Sequence, residues 1–144
     1  MNLKRLLTMV SVVLLLLSTG CAVNSTGPTD TGCAIAEIEW KITRKAELAA
    51  FKCQHSETTD PPAFLFAADV QNNTLKPLRY RLSVVIPDLK KAIGHLVPRK
   101  GVPPVVNPGE TEQVTLVFQD TTQWPEKAEV TLIVLPEQPE PPAK

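Results

Sequence analysis

Two histidines and three cysteines are the side chains of this 144-residue chain best suited to acid–base, nucleophilic or metal chemistry. His55 and His95 lie in polar or proline-rich segments, outside any recognisable catalytic motif. A histidine in such a segment is more often solvated than poised as a general base, which needs a partner within hydrogen-bonding reach. We therefore expect no catalytic residue and no enzymatic activity.

Metal binding is the next chemistry to consider, because Cys53 and His55 are two residues apart and Cys33 could supply a third ligand. Glu37 and Glu39 would lie on one face of a strand and could form a pair of carboxylates. Simpler explanations compete with both ideas: a disulfide between two of the cysteines, and charges on a solvent-facing strand surface. We expect neither a metal nor a cofactor.

The first 20 residues have the three parts of an export signal. Lys4 and Arg5 precede an apolar run from Leu6 to Leu17, which ends at the small residues 18–20. The run is shorter than the roughly 20 apolar residues that a transmembrane helix needs. Residues 1–20 are therefore predicted to be a signal peptide, with a buried core helix as the alternative.

Cys21 follows Thr19-Gly20, and this junction resembles the lipobox of bacterial lipoprotein precursors. The resemblance implies that Cys21 is diacylated and becomes the first residue of a membrane-anchored protein. Ser18 departs from the pattern, in which an aliphatic residue is usual, and it also suits ordinary signal peptidase, which would leave a bare thiol at Cys21. Ala22 in place of Asp implies an outer-membrane lipoprotein that faces the periplasm or the cell surface.

The number of cysteines supports this interpretation. An odd cysteine in an exported protein should be paired or capped, and acylation of Cys21 leaves Cys33 and Cys53 as an even pair. In an oxidising compartment we expect these two to form a disulfide.

Charge is balanced overall, with 15 basic and 15 acidic residues, which argues against general nucleic-acid binding. Along the chain, however, the charges are segregated. Residues 76–100 have a net charge of +6, and residues 101–144 have a net charge of −5. The two blocks could become neighbouring strands and neutralise each other, or the basic block could face an anionic partner or lipid headgroups.

Alternation of apolar and polar residues is the main structural signal between residues 33 and 135, and it predicts strands. Prolines fall between these runs, where they interrupt no central ladder. Asn107-Pro108-Gly109-Glu110 predicts a type II turn. The fold class expected is therefore all-β, a single antiparallel sandwich. The predicted strands are centred on residues 34–43, 64–70, 78–86, 114–118 and 130–134.

Residues 46–52 could be a helix or a strand, because Ala46 and Ala49 continue an apolar stripe from Ile35, Ile38 and Ile42. One short helix is therefore allowed for. The predicted organisation is a signal peptide (1–20), a flexible tether (21–32), the sandwich (33–135) and a proline-rich disordered tail (136–144).

The order of runs is similar to that of bacterial immunoglobulin-like envelope domains, including the FxLYD type. The residues that carry the resemblance are 70–74, with two asparagines, the alternating run 78–86, and Pro108-Gly109-Glu110 before a further strand. The resemblance implies an immunoglobulin-like sandwich and no particular activity.

The longest predicted connection, Pro87 to Asn107, is the expected binding surface, since long connections are often functional. We expect it to project from one end of the sandwich and to contact a partner through its basic residues, Lys90, Lys91, His95, Arg99 and Lys100. The expected function is a protein-binding accessory module of the envelope, similar to pilotins or secretion-complex subunits. A protease-inhibitor-like or small-ligand-binding module is the alternative.

Overall fold

The computed structural model describes residues 27–28, 31–58 and 60–136, and no helix occurs among them. It confirms the all-β prediction. Seven strands follow one another along the chain: β1 (Glu37–Ile42), β2 (Ala46–Ser56), β3 (Ala63–Asn72), β4 (Tyr80–Ile86), β5 (Lys91–Val97), β6 (Thr111–Gln119) and β7 (Lys127–Val134).

The strands form two sheets that pack face to face as a β-sandwich. One sheet has four strands in the order β1-β7-β4-β5, and the other has three in the order β2-β3-β6. All pairs are antiparallel except β1 with β7, which run parallel from Glu37 opposite Lys127 to Ile42 opposite Leu132. That pair departs from the purely antiparallel prediction, and the immunoglobulin-like connectivity stays a prediction.

Residues 46–52, left open between helix and strand, belong to β2. Ala46, Leu48 and Phe51 are buried in it, and the register with β3 shifts between Leu48 and Ala50. This β-bulge adds one residue and breaks the alternation. Ala49, which the helical stripe would have placed on the same face as Ala46, is exposed.

The core lies between the two inner faces and follows the alternation read from the sequence. The completely buried large side chains come from both sheets, among them Phe64 and Phe66 of β3 and Leu82 and Val84 of β4. Burying one such side chain contributes about 1.5–3 kcal/mol relative to leaving it in water. This inward face, more than backbone propensity, determines which residues of each strand point to the core.

Asn72 is a buried polar residue at the end of β3. Its side-chain Nδ2 donates hydrogen bonds to the carbonyl oxygens of Lys76 and Val106, both at 2.8 Å. The backbone N–H of Gly109 donates to the Asn72 carbonyl at 2.9 Å. Asn72 therefore joins the β3–β4 connection to the β5–β6 connection, which a solvated turn residue would not do.

The predicted turn at residues 107–110 is confirmed. Gly109 has a φ of +76°, and the N–H of Glu110 donates to the carbonyl of Asn107 at 3.1 Å. Glycine adopts this backbone conformation without the steric cost that other residues incur.

The predicted Cys33–Cys53 disulfide is present, with the two Cα atoms 4.9 Å apart. It joins the segment before β1 to β2 and packs against the core. Nearby, the backbone of Gly27 lies so close to the indole of Trp40 that a Cβ there would overlap the ring. We call this flank, where β1 and β2 are the edge strands, the closed side.

Candidate functional site

The basic residues predicted to form one loop do not lie in one loop. The prediction of a connection from Pro87 to Asn107 is wrong, because residues 91–97 form β5, paired with β4 along its whole length. Lys90 and Arg99 therefore lie at opposite ends of a strand whose seven residues extend over about 20 Å. Whether these residues bind a partner stays a prediction, but they do not form a single patch.

Lys91 has a local structural role. Its Nζ donates hydrogen bonds to the carbonyl oxygens of Gln119 and Asp120 and to the Oγ1 of Thr121. These acceptors lie at and beyond the end of β6, in the opposite sheet. Lys91 therefore ties β5 to β6, and its amine donors are occupied by these three oxygens.

His95 lies on the inward-facing side of β5, opposite Leu82. Its Nδ1 is buried and has no hydrogen-bond partner among the described residues. The expectation that His95 is a solvated loop residue is therefore wrong. Its alternation with Ile93 and Val97 places it on the side of β5 that faces the other sheet.

The outer edge of β5 is the structural feature that stands out in this region. β5 pairs with β4 alone among the described strands, so one row of its backbone groups lies outside any ladder. The residues that point outward from β5 are Ala92, Gly94 and Leu96, all uncharged. Edge strands usually carry charges, prolines or bulges that block the addition of another strand. Of these devices β5 has only Lys91, whose amine is already bound. We call the flank formed by the edges of β5 and β6 the open side.

The outer face of the four-stranded sheet beside β5 combines apolar and charged side chains, because Arg81 of β4 is exposed there. Leu96, Arg81 and Ile133 stand in one cross-strand row, and Leu96 and Ile133 are 37% and 45% exposed. In the next row Gly94 lies beside Ser83, and a Cβ at position 94 would come within 2.8 Å of the Ser83 Oγ. The same Cβ would lie 3.2 Å from the Nε of Arg81, so the guanidinium of that residue covers Gly94.

The two carboxylates considered for acid–base chemistry lie on the same face, at the β1 edge. Lys127 Nζ is 3.1 Å from Glu37 and 3.5 Å from Glu39, and Lys41 Nζ is 3.0 Å from Glu39 and 3.3 Å from Glu129. The hydrogen bond and charge of Lys41 lower the pKa of Glu39. A carboxylate held in its charged form is a poor general acid, so these groups serve the strand edge.

His55 and the cysteines do not combine into a metal site. The cysteines are bridged, and the Nε2–H of His55 donates to the carbonyl of Thr121 at 2.9 Å. The ring of His55 packs near those of Phe64 and Trp124. The Phe64 and Trp124 rings pack edge to face, with their centroids 4.7 Å apart. Within the described part of the chain, no group of three His, Cys, Asp or Glu residues could hold a metal ion.

Charge is segregated between the two ends of the sandwich, which the sequence order does not reveal. The connections 43–45, 73–79 and 98–110 meet at one end, which we call the basic end; those at 57–62, 87–90 and 120–126 meet at the other, the acidic end. The basic end contains six basic residues and one acidic residue: Arg44, Lys45, Lys76, Arg79, Arg99, Lys100 and Glu110. The acidic end contains five acidic residues and one basic residue: Glu57, Asp60, Asp88, Asp120, Glu126 and Lys90.

The two charge blocks do become neighbouring strands, since β4 pairs with β7. Among the described residues, no salt bridge joins a basic residue of 76–100 to an acidic residue of the C-terminal block. The basic block is divided between the two ends, and Arg44 and Lys45 join its larger part. No run of charge in the sequence marks those two residues, because only the strand order brings their turn to this end.

Comparison of the chain with known protein families, with curated proteins and with solved structures finds no match. None of the described residues forms a helix long and apolar enough to cross a membrane. Cys21, the predicted site of lipidation, lies outside the described residues.

Proposed function

We propose that the chain is a non-enzymatic bacterial envelope lipoprotein that binds another protein at the open edge of β5, as an accessory subunit of an assembly. The observation that carries the protein-binding part is the unpaired edge of β5, with its three uncharged outward residues. Backbone groups of such an edge can form a ladder with an extended segment of a second chain.

The proposed occupant is an extended segment of about seven residues with an uncharged middle and acidic residues at both ends. Lys90 lies at one end of β5, and Arg99 and Lys100 lie just beyond the other. None of these three side chains has a hydrogen-bond or ion-pair partner among the described residues. Acidic flanks would match them, and the charge would act mainly on the rate of association.

Membrane anchoring is supported by the N-terminal pattern together with the disulfide. Because Cys33 is bonded to Cys53, Cys21 is left as the odd cysteine, which acylation would cap. Two acyl chains hold a protein stably on a membrane, whereas one chain gives only marginal binding.

The strand-addition proposal can be tested by site-specific photo-cross-linking. A photoreactive amino acid at Ala92, on the β5 edge, should cross-link a partner in envelope membranes, whereas the same amino acid at Thr115 of β6 should not. Ala92→Lys with Leu96→Lys adds the charges that usually protect an edge, and we expect it to weaken binding about tenfold or more. Thr115→Lys, an exposed strand residue of the other sheet, is the matched control.

A synthetic peptide of the cross-linked partner segment then distinguishes strand addition from other contacts. Bound peptide should slow amide hydrogen exchange in β5 and leave exchange in β2 unchanged. Equal cross-linking from positions 92 and 115, or unchanged exchange in β5, would rule out the edge as the binding site.

The anchor is tested by Cys21→Ser, which removes the acyl acceptor. The variant should leave the membrane fraction or accumulate as unprocessed precursor with altered mobility. Unchanged membrane partition and mobility would refute lipidation.

A further inference from the structure

The basic end has six cationic side chains that the fold leaves uncompensated. Among the described residues, none of the six side chains donates a hydrogen bond or forms an ion pair. The Nε of Arg79 is buried and also lacks a partner. The net charge of +5 over three adjacent connections therefore produces a concentrated positive potential at one end of the molecule.

Two apolar side chains project from the same end. Leu75, in the β3–β4 connection, is 96% exposed, and Val102, in the β5–β6 connection, is 103% exposed. Each lies close to basic residues of its own connection: Leu75 next to Lys76, and Val102 two residues after Lys100. Isolated exposed apolar residues are common, but two on neighbouring connections within a cationic surface form a pattern.

Buried hydrogen bonds hold these two connections together. Asn72 donates one hydrogen bond to the carbonyl of Lys76 and one to that of Val106, and Leu78 pairs with Val106 as a β-bridge. The stems of the connections that carry Leu75 and Val102 are therefore fixed relative to each other. A prearranged surface loses less entropy on binding than two independent loops would.

We propose that the basic end docks on an anionic lipid bilayer, with Leu75 and Val102 reaching the boundary between headgroups and acyl chains. Cationic residues beside an acidic bilayer each strengthen binding by about fivefold at low ionic strength. Apolar side chains add to this by entering the interface. The open edge of β5 runs from this end towards the acidic end, so its backbone groups stay clear of the bilayer. On a docked molecule Arg99 and Lys100 would face lipid, and Lys90 alone would match an acidic flank of a protein partner.

The inference goes beyond protein binding and does not require the lipid on Cys21. The chain between Cys21 and the domain is nevertheless long enough for the lipid anchor and the docked basic end to reach the same bilayer. Cys21 precedes Gly27 by six residues, which extend over at most about 20 Å. Gly27 lies against Trp40, which is two residues from the end of β1 at the basic end.

The test places an environment-sensitive fluorophore on Val102→Cys in the full chain carrying Cys21→Ser. The introduced cysteine is then the one free thiol, since Cys33 and Cys53 are bridged. We expect emission from position 102 to rise and shift to the blue on phosphatidylcholine vesicles that contain phosphatidylglycerol, relative to phosphatidylcholine alone. The same fluorophore at Thr58→Cys, at the acidic end, should not respond. Residues 1–20 are present in every variant, so their own affinity for lipid cancels.

Variants that remove charges measure how much the basic residues contribute to docking. Arg99→Gln with Lys100→Gln should lower the ratio of docked to undocked protein about 25-fold at low salt, with less effect at high salt. Lys52→Gln with Lys90→Asn removes the same charge elsewhere and should have little effect; Asn suits the positive φ of residue 90. An equal response from positions 102 and 58 would overturn the proposal, as would equal loss in both charge variants. Unchanged emission from the fluorophore at position 102 on anionic vesicles would also overturn the proposal. The basic end would then be tested for binding to an acidic protein.

Discussion

The edge strands on the two sides of the sandwich differ in how they are protected against the addition of another strand. On the closed side a disulfide joins the segment before β1 to β2, ion pairs with Lys41 and Lys127 line β1, and a bulge interrupts β2. On the open side β5 and β6 carry one charged residue each, Lys91 and Glu112. Covalent closure, charge and bulges all oppose strand addition, and they are concentrated on one side. The difference shows that edge protection is a local property, and it is the reason for proposing the partner site on the open side.

The largest expected effect comes from opening the closed side. Cys33→Ser with Cys53→Ser removes a bridge that spans 20 residues, which should lower the free energy of unfolding by about 3 kcal/mol in the chain-entropy model. Urea unfolding of the oxidised protein and the variant measures this difference. Thiol titration of the denatured, non-reduced protein is the check: two free thiols from Cys33 and Cys53 would contradict the bridge.

A smaller effect is expected from loosening the open side. Lys91→Met keeps the aliphatic stem but removes the donor to three oxygens beyond β6, which should cost about 1 kcal/mol because the contact is partly exposed. Amide exchange in β5 should accelerate more than exchange in β4. Lys52→Met, an exposed lysine of β2, is the control and should change neither. Uniform acceleration in all strands would show that Lys91 acts on the whole sandwich.

The smallest effect is expected at the ion pairs of β1, whose side chains are exposed. Because the folded state lowers the pKa of Glu39, chiefly through Lys41, its contribution to stability is present above the unfolded pKa and is lost as pH falls through the lowered value. Lys41→Ala should therefore destabilise the protein only slightly at neutral pH, because solvent screens the exposed pair, and reduce the fall in stability on acidification. Thermal unfolding from pH 7 to pH 3 measures both, and a steeper acid dependence in the variant would contradict this assignment.

How far the sequence predicts this molecule depends on whether a strand alternates cleanly. Clean alternation of apolar and polar residues occurs in four strands, β3, β4, β6 and β7. The sequence predicted the inward residues of these strands because one face of each is apolar. β5 was missed because its inward face includes His95 and its outward face has Ala92, Gly94 and Leu96, so polarity does not alternate. β2 was left open between helix and strand because Ala46 and Ala49 continue an apolar stripe at helical spacing, whereas Ala49 is exposed in the strand.

The candidate sites were less predictable than the fold. Pairing of Cys33 with Cys53 followed from counting cysteines, since no geometry was needed. The open edge and the basic end depend on strand order, which places Arg44 and Lys45 beside Arg99 although more than 50 residues separate them. Charge blocks along a chain are poor guides to surfaces when consecutive strands run in opposite directions.

The parallel pairing of β1 with β7 and the disulfide together determine how the domain bears mechanical load. β1 starts at the acidic end and β7 finishes at the basic end, so tension between the termini would shear their ladder and strain its hydrogen bonds together. The bridge, however, closes a covalent ring from Cys33 to Cys53 that contains all of β1. Tension on the N-terminal segment passes through the two sulfur atoms into β2, and β1 stays unloaded. A domain pulled by its N-terminal segment is thus loaded at Cys53 of β2, and the β1–β7 ladder is protected.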